Sequence, residues 1–271
     1  MLYGEGICGA TANDCSWKLY SSGEMIISGN GYMNPDYSDG TQTGQTKAPW
    51  KQFREQIKTV KIQEGIKSVS ISAFYYYDDN LNVKGYPNIV SIQLPESLET
   101  IGNHAFERCS SLKSINIPNK IKTIDEHTFV SCTSLQSITI GNNVETIGSA
   151  SFHSCTSLQT IHWNKSVKTI SVNAFQFCSS LKTLSLPDSV TYLDQGCFAD
   201  CTQLTTVTIP SSVKTIIQLA FTKDSKLTSV TFTGTTEPNC PNSVFSGTPL
   251  SVVNVPDGYS SDDFCGITIY V

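Results

Sequence analysis

The chain has 271 residues, with 18 Lys and Arg against 23 Asp and Glu, a net charge of −5 and 15% charged residues. A chain of this length buries a core without covalent staples, and so sparse and acidic a surface cannot neutralise the phosphates of a nucleic acid, which is excluded as a partner. No run of about 18 apolar residues is present, so direct membrane insertion is not expected, and the N-terminal MLYGEGICGA lacks the basic flank and apolar stretch of a secretion signal.

In chain order, residues 1–56 read as an N-terminal cap: SWKLYSSGEMIISG (16–29) holds two alternating runs around Ser-Ser-Gly, a β-hairpin signal. From Ile57 a period of 23 residues takes over. It is carried by Phe106, Phe129, Phe152, Phe175, Phe198 and Phe221, and by Leu112, Leu135, Leu158, Leu181, Leu204, Leu227 and Leu250. One template, A-F-x-x-C-x-S-L-x-x-I-x-I-P-x-x-V-x-x-I, covers the coils. LKSINIP (112–118) alternates inward Ile115 and Ile117 with outward Ser114 and Asn116, a short strand, and IKTI (121–124) adds a second extended piece. No segment sustains a helical period. A coil this short cannot bury its own apolar face, so the chain is expected to be mainly β, a solenoid of short parallel strands over residues 57–256. Nine strands, beginning at Ile57, Ile89, Leu112 and so on to Leu250, would stack to roughly 40 Å. Between Phe74 and Phe106 the period is stretched by an insertion at 75–86, and residues 257–271 break the pattern as an irregular C-terminal cap.

Equivalent positions stack into columns. One outward column runs Thr59, Ser91, Ser114, Ser137, Thr160, Thr183, Thr206 and Ser229; its neighbour runs Lys61, Gln93, Asn116, Thr139, His162, Ser185, Thr208, Thr231 and Asn254. Such an uncharged polar face suits recognition by hydrogen bonds, and it equally suits a half-exposed sheet whose Thr and Ser pair across strands. On the second strand Lys67, Glu99, Lys122, Glu145 and Lys168 alternate in sign, which favours one stacking register. The insertion supplies Tyr75, Tyr76, Tyr77 and Tyr86, either a protruding contact site or a seal packed on the cap. Trp163 stands in an inward column. Asn164-Lys165-Ser166, the sole glycosylation sequon, is expected at an accessible corner.

Six cysteines, Cys109, Cys132, Cys155, Cys178, Cys197 and Cys201, fall at repeated positions. Stacked side chains stand about 4.8 Å apart with parallel Cβ vectors, unlike a disulfide, so they read as buried, reduced packing residues. Cys8 with Cys15 and Cys240 with Cys265 lie in the caps, where a bridge within each pair is open. His104 and His127 share a template position about 5 Å apart, spacing that admits a metal site, yet the next coils offer Ala150 and Asn173 rather than a third ligand, so no metal is expected. Phosphate-binding, hydrolase-elbow and zinc-protease motifs do not occur, and no cofactor is expected.

The A-F, C-x-S-L, I-x-I-P and V-x-x-I elements resemble the BspA-like, or treponemal-type, leucine-rich repeat family over residues 57–256. The N-terminal SWKLYSSGEMIISGNGYM is similar to a cap that precedes such repeats, and VPDGYSSDDFCGI resembles the end of trichomonad members. The resemblance implies surface or secreted, adhesin-like proteins of mucosal bacteria and parasitic protists. The expectation is a non-enzymatic extracellular or cell-surface binding module for a host or microbial surface protein, matrix protein or glycan, with self-association as a further option. If it is exported, the signal lies outside these 271 residues. The competing expectation is an enzyme or metal protein with a site near His104 and His127 or the 75–86 insertion.

Overall fold

A three-residue run with one apolar residue at its centre can bury only that residue, and it needs a neighbouring run on each side to pair its backbone. The computed structural model meets both needs by stacking coils. It describes residues 1–35, 37, 47–77 and 83–269; parts of the expected caps (36, 38–46 and 270–271) and of the insertion (78–82) lie outside the described residues. Strands Ser114–Asn116, Ser137–Thr139 and Thr160–His162 pair in parallel one coil apart, with Ile115, Ile138 and Ile161 aligned. Strands Thr183–Ser185, Thr206–Ile209, Ser229–Phe232 and Val253–Asn254 form a second parallel block. The two-residue strands from Thr123–Ile124 to Thr215–Ile216 build a continuous five-stranded parallel sheet on another face. The protein is thus a mainly β, parallel-stranded solenoid of 23-residue coils.

Inside it the repeated phenylalanines form a column. From Phe74 to Phe245 successive rings stack with centroids 5.2–5.6 Å apart and planes within 3–15° of parallel. Each ring from Phe106 to Phe221 sits between two left-handed residues: His127 and Ser131 flank Phe129 at φ 56°. Left-handed backbone costs an L-residue roughly 1–2 kcal/mol. Links to the next coil offset it, as Phe129 N–H donates to Ser151 O at 2.8 Å and Ser131 N–H to His153 O at 2.8 Å. The thiols join in. Cys132, Cys155, Cys178 and Cys201 each donate Sγ–H to a phenylalanine carbonyl in the preceding coil, at 3.3–3.4 Å. All six repeat cysteines are buried and unbridged.

At the N-terminal end β1 (Leu2–Ile7), β2 (Ser16–Tyr20) and β3 (Glu24–Ser28) make an antiparallel meander, more than the hairpin expected. β3 then pairs in parallel with β4 (Thr59–Ile62), so the cap supplies the first rung of the solenoid. Cys8 and Cys15 are bridged. Trp50, fully buried, stacks on Phe74 at 5.3 Å and closes the aromatic column, its Nε1–H bonded to Ala73 O at 2.9 Å. At the other end Phe264 packs on Phe232 at 5.0 Å, and Cys240 is bridged to Cys265.

The sequon corrects the sequence reading. Asn164 is only 6% exposed, because its amide replaces the proline of other coils and ties the corner together. Its Nδ2 donates to the carbonyls of Gly141 and Val144, while Oδ1 accepts from Ser166 N and Val167 N at 2.8 and 3.0 Å. That side chain has no group left for a glycan in the folded protein.

Candidate binding face

The longer strands alternate inward apolar with outward polar side chains, so their outer face is fixed by the pleat. Gln93, Asn116, Thr139, His162 and Ser185 are exposed and Thr208 is half-exposed. Asn116 is aligned with Thr139, Thr139 with His162, and Ser185 with Thr208. The parallel hydroxyl column is in the same register, Ser114 to Ser137 to Thr160 and Thr183 to Thr206 to Ser229. None of the six side chains from Gln93 to Thr208 hydrogen-bonds another described residue. The face therefore presents donors and acceptors that no other described residue satisfies.

The face has two seams, one between Ser91–Gln93 and Ser114–Asn116 and one after Thr160–His162. Thr160–His162 and Thr183–Ser185 belong to different sheets although they lie in consecutive coils. Trp163 stands where other coils have Ile117, Ile140, Leu186 or Ile209, and its ring meets Phe175 edge-on at 5.8 Å. A side chain that large suits a wider gap, although the other seam has Leu94 at the equivalent position. The gap is a cavity of about 220 Å³ lined by Ile161, Trp163, Leu184, Thr160 and Thr183. Trp163 is half-buried against the core, and no signal beyond its size marks the seam in the sequence.

The tyrosine insertion is different from the protruding site considered above. Tyr75–Tyr77 pairs antiparallel with Val83–Gly85, and this hairpin folds back on the cap. Tyr75 is 7% exposed, Tyr76 5% and Tyr86 0%. The physical reason is that Tyr86 occupies the inward cysteine position, edge-on to Phe74 at 5.3 Å, while Tyr76 lies under Arg54 at 4.8 Å and Tyr75 tilts against His104. These three rings seal the structure and are not available as contact surface; the side chain of Tyr77 lies outside what is described.

His104 and His127 are face to face, centroids 4.8 Å apart and planes 8° from parallel. Imidazole lone pairs lie in the ring plane, so parallel stacked rings direct them side by side and not toward one ion about 2 Å away. His104 Nδ1 is instead 2.6 Å from Glu107 Oε2. Among the described residues the one gathering of three metal-type ligands is Glu237, Cys240 and Cys265, whose two sulfurs are joined to each other. The ladder thiols are chemically quiet: burial pushes Cys109 and Cys155 up to about 12. A thiol so rarely ionised is a poor nucleophile. The alternating charges do less than their pattern suggests, with one closed contact, Lys168 Nζ to Glu145 Oε2 at 2.8 Å between exposed side chains. Such a pair contributes little.

A stack of short coils with an aromatic column and an open polar face defines the leucine-rich-repeat class of solenoids, which typically bind through extended surfaces. The profile described as "BspA type Leucine rich repeat region" matches in six copies, over residues 53–175, 82–205 and 151–262. The chain belongs to the BspA-type leucine-rich repeat family. Solved structures similar to it include a leucine-rich repeat protein from Eubacterium ventriosum, at 19% identity over 93% of this chain and 78% of that one, TM-score 0.47. The T. pallidum leucine-rich repeat protein is 21% identical over 91% and 85%, TM-score 0.45. A leucine rich cell surface protein from Faecalibacterium prausnitzii is 22% identical over 78% and 65%, TM-score 0.43. No curated protein sequence matches significantly. No helix among the described residues is long and apolar enough to cross a membrane.

Proposed function

We propose that this protein is a non-enzymatic binding module acting outside the cell or at its surface, adhesin-like. Its target is a host or microbial surface protein, a matrix protein or a glycan, met by the uncharged face of the longer strands. The observation that carries this reading is the outward row Gln93, Asn116, Thr139, His162, Ser185 and half-exposed Thr208, whose side chains bond no other described residue. A ligand that satisfies stacked hydroxyls and amides gains a series of modest hydrogen bonds repeated at the coil spacing, so its affinity grows with the number of coils it spans.

The test is an array of glycans and matrix proteins probed with the intact chain and with a variant carrying Asn116→Arg, Thr139→Arg and Ser185→Arg. All three positions are exposed, so the variant should melt as the parent does, within about 1 kcal/mol. Binding of the array hit should weaken at least about tenfold, because each arginine covers two columns and buries no compensating charge. Undiminished binding by the folded variant would remove this face from consideration.

A further inference from the structure

The short-strand sheet carries an unusual carboxylate. The column that follows each two-residue strand reads Ser70, Gly102, Asp125, Gly148 and Ser171, so Asp125 stands between two glycines and neither neighbouring coil lays a side chain over it. Asp194, in the same column, caps the N–H of Gln195 at 2.8 Å. Asp125 has no such partner: its side chain makes no hydrogen bond or ion pair with a described residue. It borders a cavity of about 520 Å³ whose walls include Met33 and Val69, both buried, with Ile71, Tyr32 and Asn103. That size is ordinary for a site that encloses a small group.

The wall is prearranged. Tyr32, though half-exposed, is fixed by its hydroxyl, which donates to Glu99 Oε2 at 2.9 Å, and by Lys67, whose Nζ lies 5.4 Å from the ring centre. Lys120 and Lys122 border an adjoining cavity of about 710 Å³ that also reaches Asp125, yet neither pairs with it. Burial, with a smaller contribution from the charge of Glu126, holds the Asp125 carboxyl above the usual range. A half-dry carboxylate is relieved by a cation that brings its own N–H donors, whereas the apolar walls favour alkyl carbon. A lysine or arginine side chain has both parts, an aliphatic stem and a charged head. A bare divalent ion does not fit, because one carboxylate among apolar walls cannot supply six or more oxygens.

We propose that this cavity is a socket for one lysine or arginine side chain of a partner protein, its stem against Met33, Val69 and Ile71 and its head on Asp125. The socket lies on the short-strand face, apart from the polar ladder, and does not depend on it.

Doubly blocked arginine (N-acetyl-L-arginine methylamide) is the probe, with the blocked citrulline analogue as its neutral isostere, each titrated into isotope-labelled protein and followed by amide shifts. The expected result is weak, saturable binding of the arginine probe, with shifts centred on Thr100, Asn103 and Asp125. Citrulline binds about tenfold or more weakly, and Asp125→Asn lowers arginine affinity to the citrulline level. Glu126→Gln removes the same net charge and should leave arginine binding intact. Equal binding of the two probes, no saturable shifts, shifts elsewhere, or a folded Asp125→Asn variant that binds as well as the parent would each overturn the socket.

Discussion

Asp224 replaces cysteine at the end of the thiol column and puts a carboxyl where the preceding coils have a weak donor. It is fully buried; Oδ1 accepts Cys201 N–H at 2.7 Å, and Oδ2 has no partner. Burial above all, aided by the charge of Asp200, pushes its pKa up to about 9. In the unfolded chain the same group titrates near 3.9. Between those values the unfolded chain has released a proton that the folded chain keeps. The stability that protonated Asp224 gives is therefore present below about pH 4 and is lost as pH rises to about 9, at no more than about 1.4 kcal/mol per unit. Asp224→Asn keeps the Oδ1 acceptor and abolishes this slope. Urea unfolding across that pH range should show a falling midpoint in the parent and a flatter one in the variant; parallel curves would refute the assignment. Asn164 and Tyr86 show what single residues conceal. Both visibly stood at a template position, Asn for proline and Tyr for cysteine. The string of letters lacked the direction of each side chain: one ties a corner, and the other fills the core.

Among the elements, the strand containing Thr160–His162 is one of two in this face whose pairing fails toward the next coil, and Trp163 distinguishes its break from the one after Ser91–Gln93. Trp163→Ile restores the residue of neighbouring coils, and the two sheet blocks should then join. Hydrogen exchange at residues 182–186 is expected to slow by about tenfold or more as backbone bonds form across the seam, with a stability change near zero because lost aromatic packing offsets the gained pairing. Unchanged exchange would mean the seam has another origin. The strands themselves were legible, since a 23-residue period with inward Ile and outward Ser or Thr leaves little freedom. The corners were not. His104, Ala150 and Leu219 adopt φ of 58°, 50° and 64° without being glycine, so the usual sign of left-handed backbone was absent. Nor was the cavity at Asp125 legible. Met33 and Tyr32 come from a cap segment with no period, and only folding brings them over Val69 and Ile71.

At the scale of the whole molecule, each coil touches its neighbours and little else, so stability accumulates along the stack and is weakest where a neighbour is missing. The bridge Cys240–Cys265, closing a loop of 25 residues, secures one such end. Replacing both cysteines with serine should cost about 2–4 kcal/mol, and exchange should rise first at Val253–Asn254 and Phe264. Uniform loss along all coils would contradict the nearest-neighbour picture. The same bridge, with Cys8–Cys15, is compatible with an oxidising compartment, while the core between them buries six thiols away from solvent. The one-coil register has a consequence for reach. Where the pattern is unbroken, as between the coils of Phe129 and Phe152, one coil meets the next through the same strand pairs, ring stack and thiol-to-carbonyl bond, so a coil duplicated there would insert without changing either end. Every insertion would lengthen the molecule by about 4.8 Å and add one rung to each column. Length here behaves as a graduated scale, set by copy number alone, and a ligand spanning several rungs would in effect be measured against it.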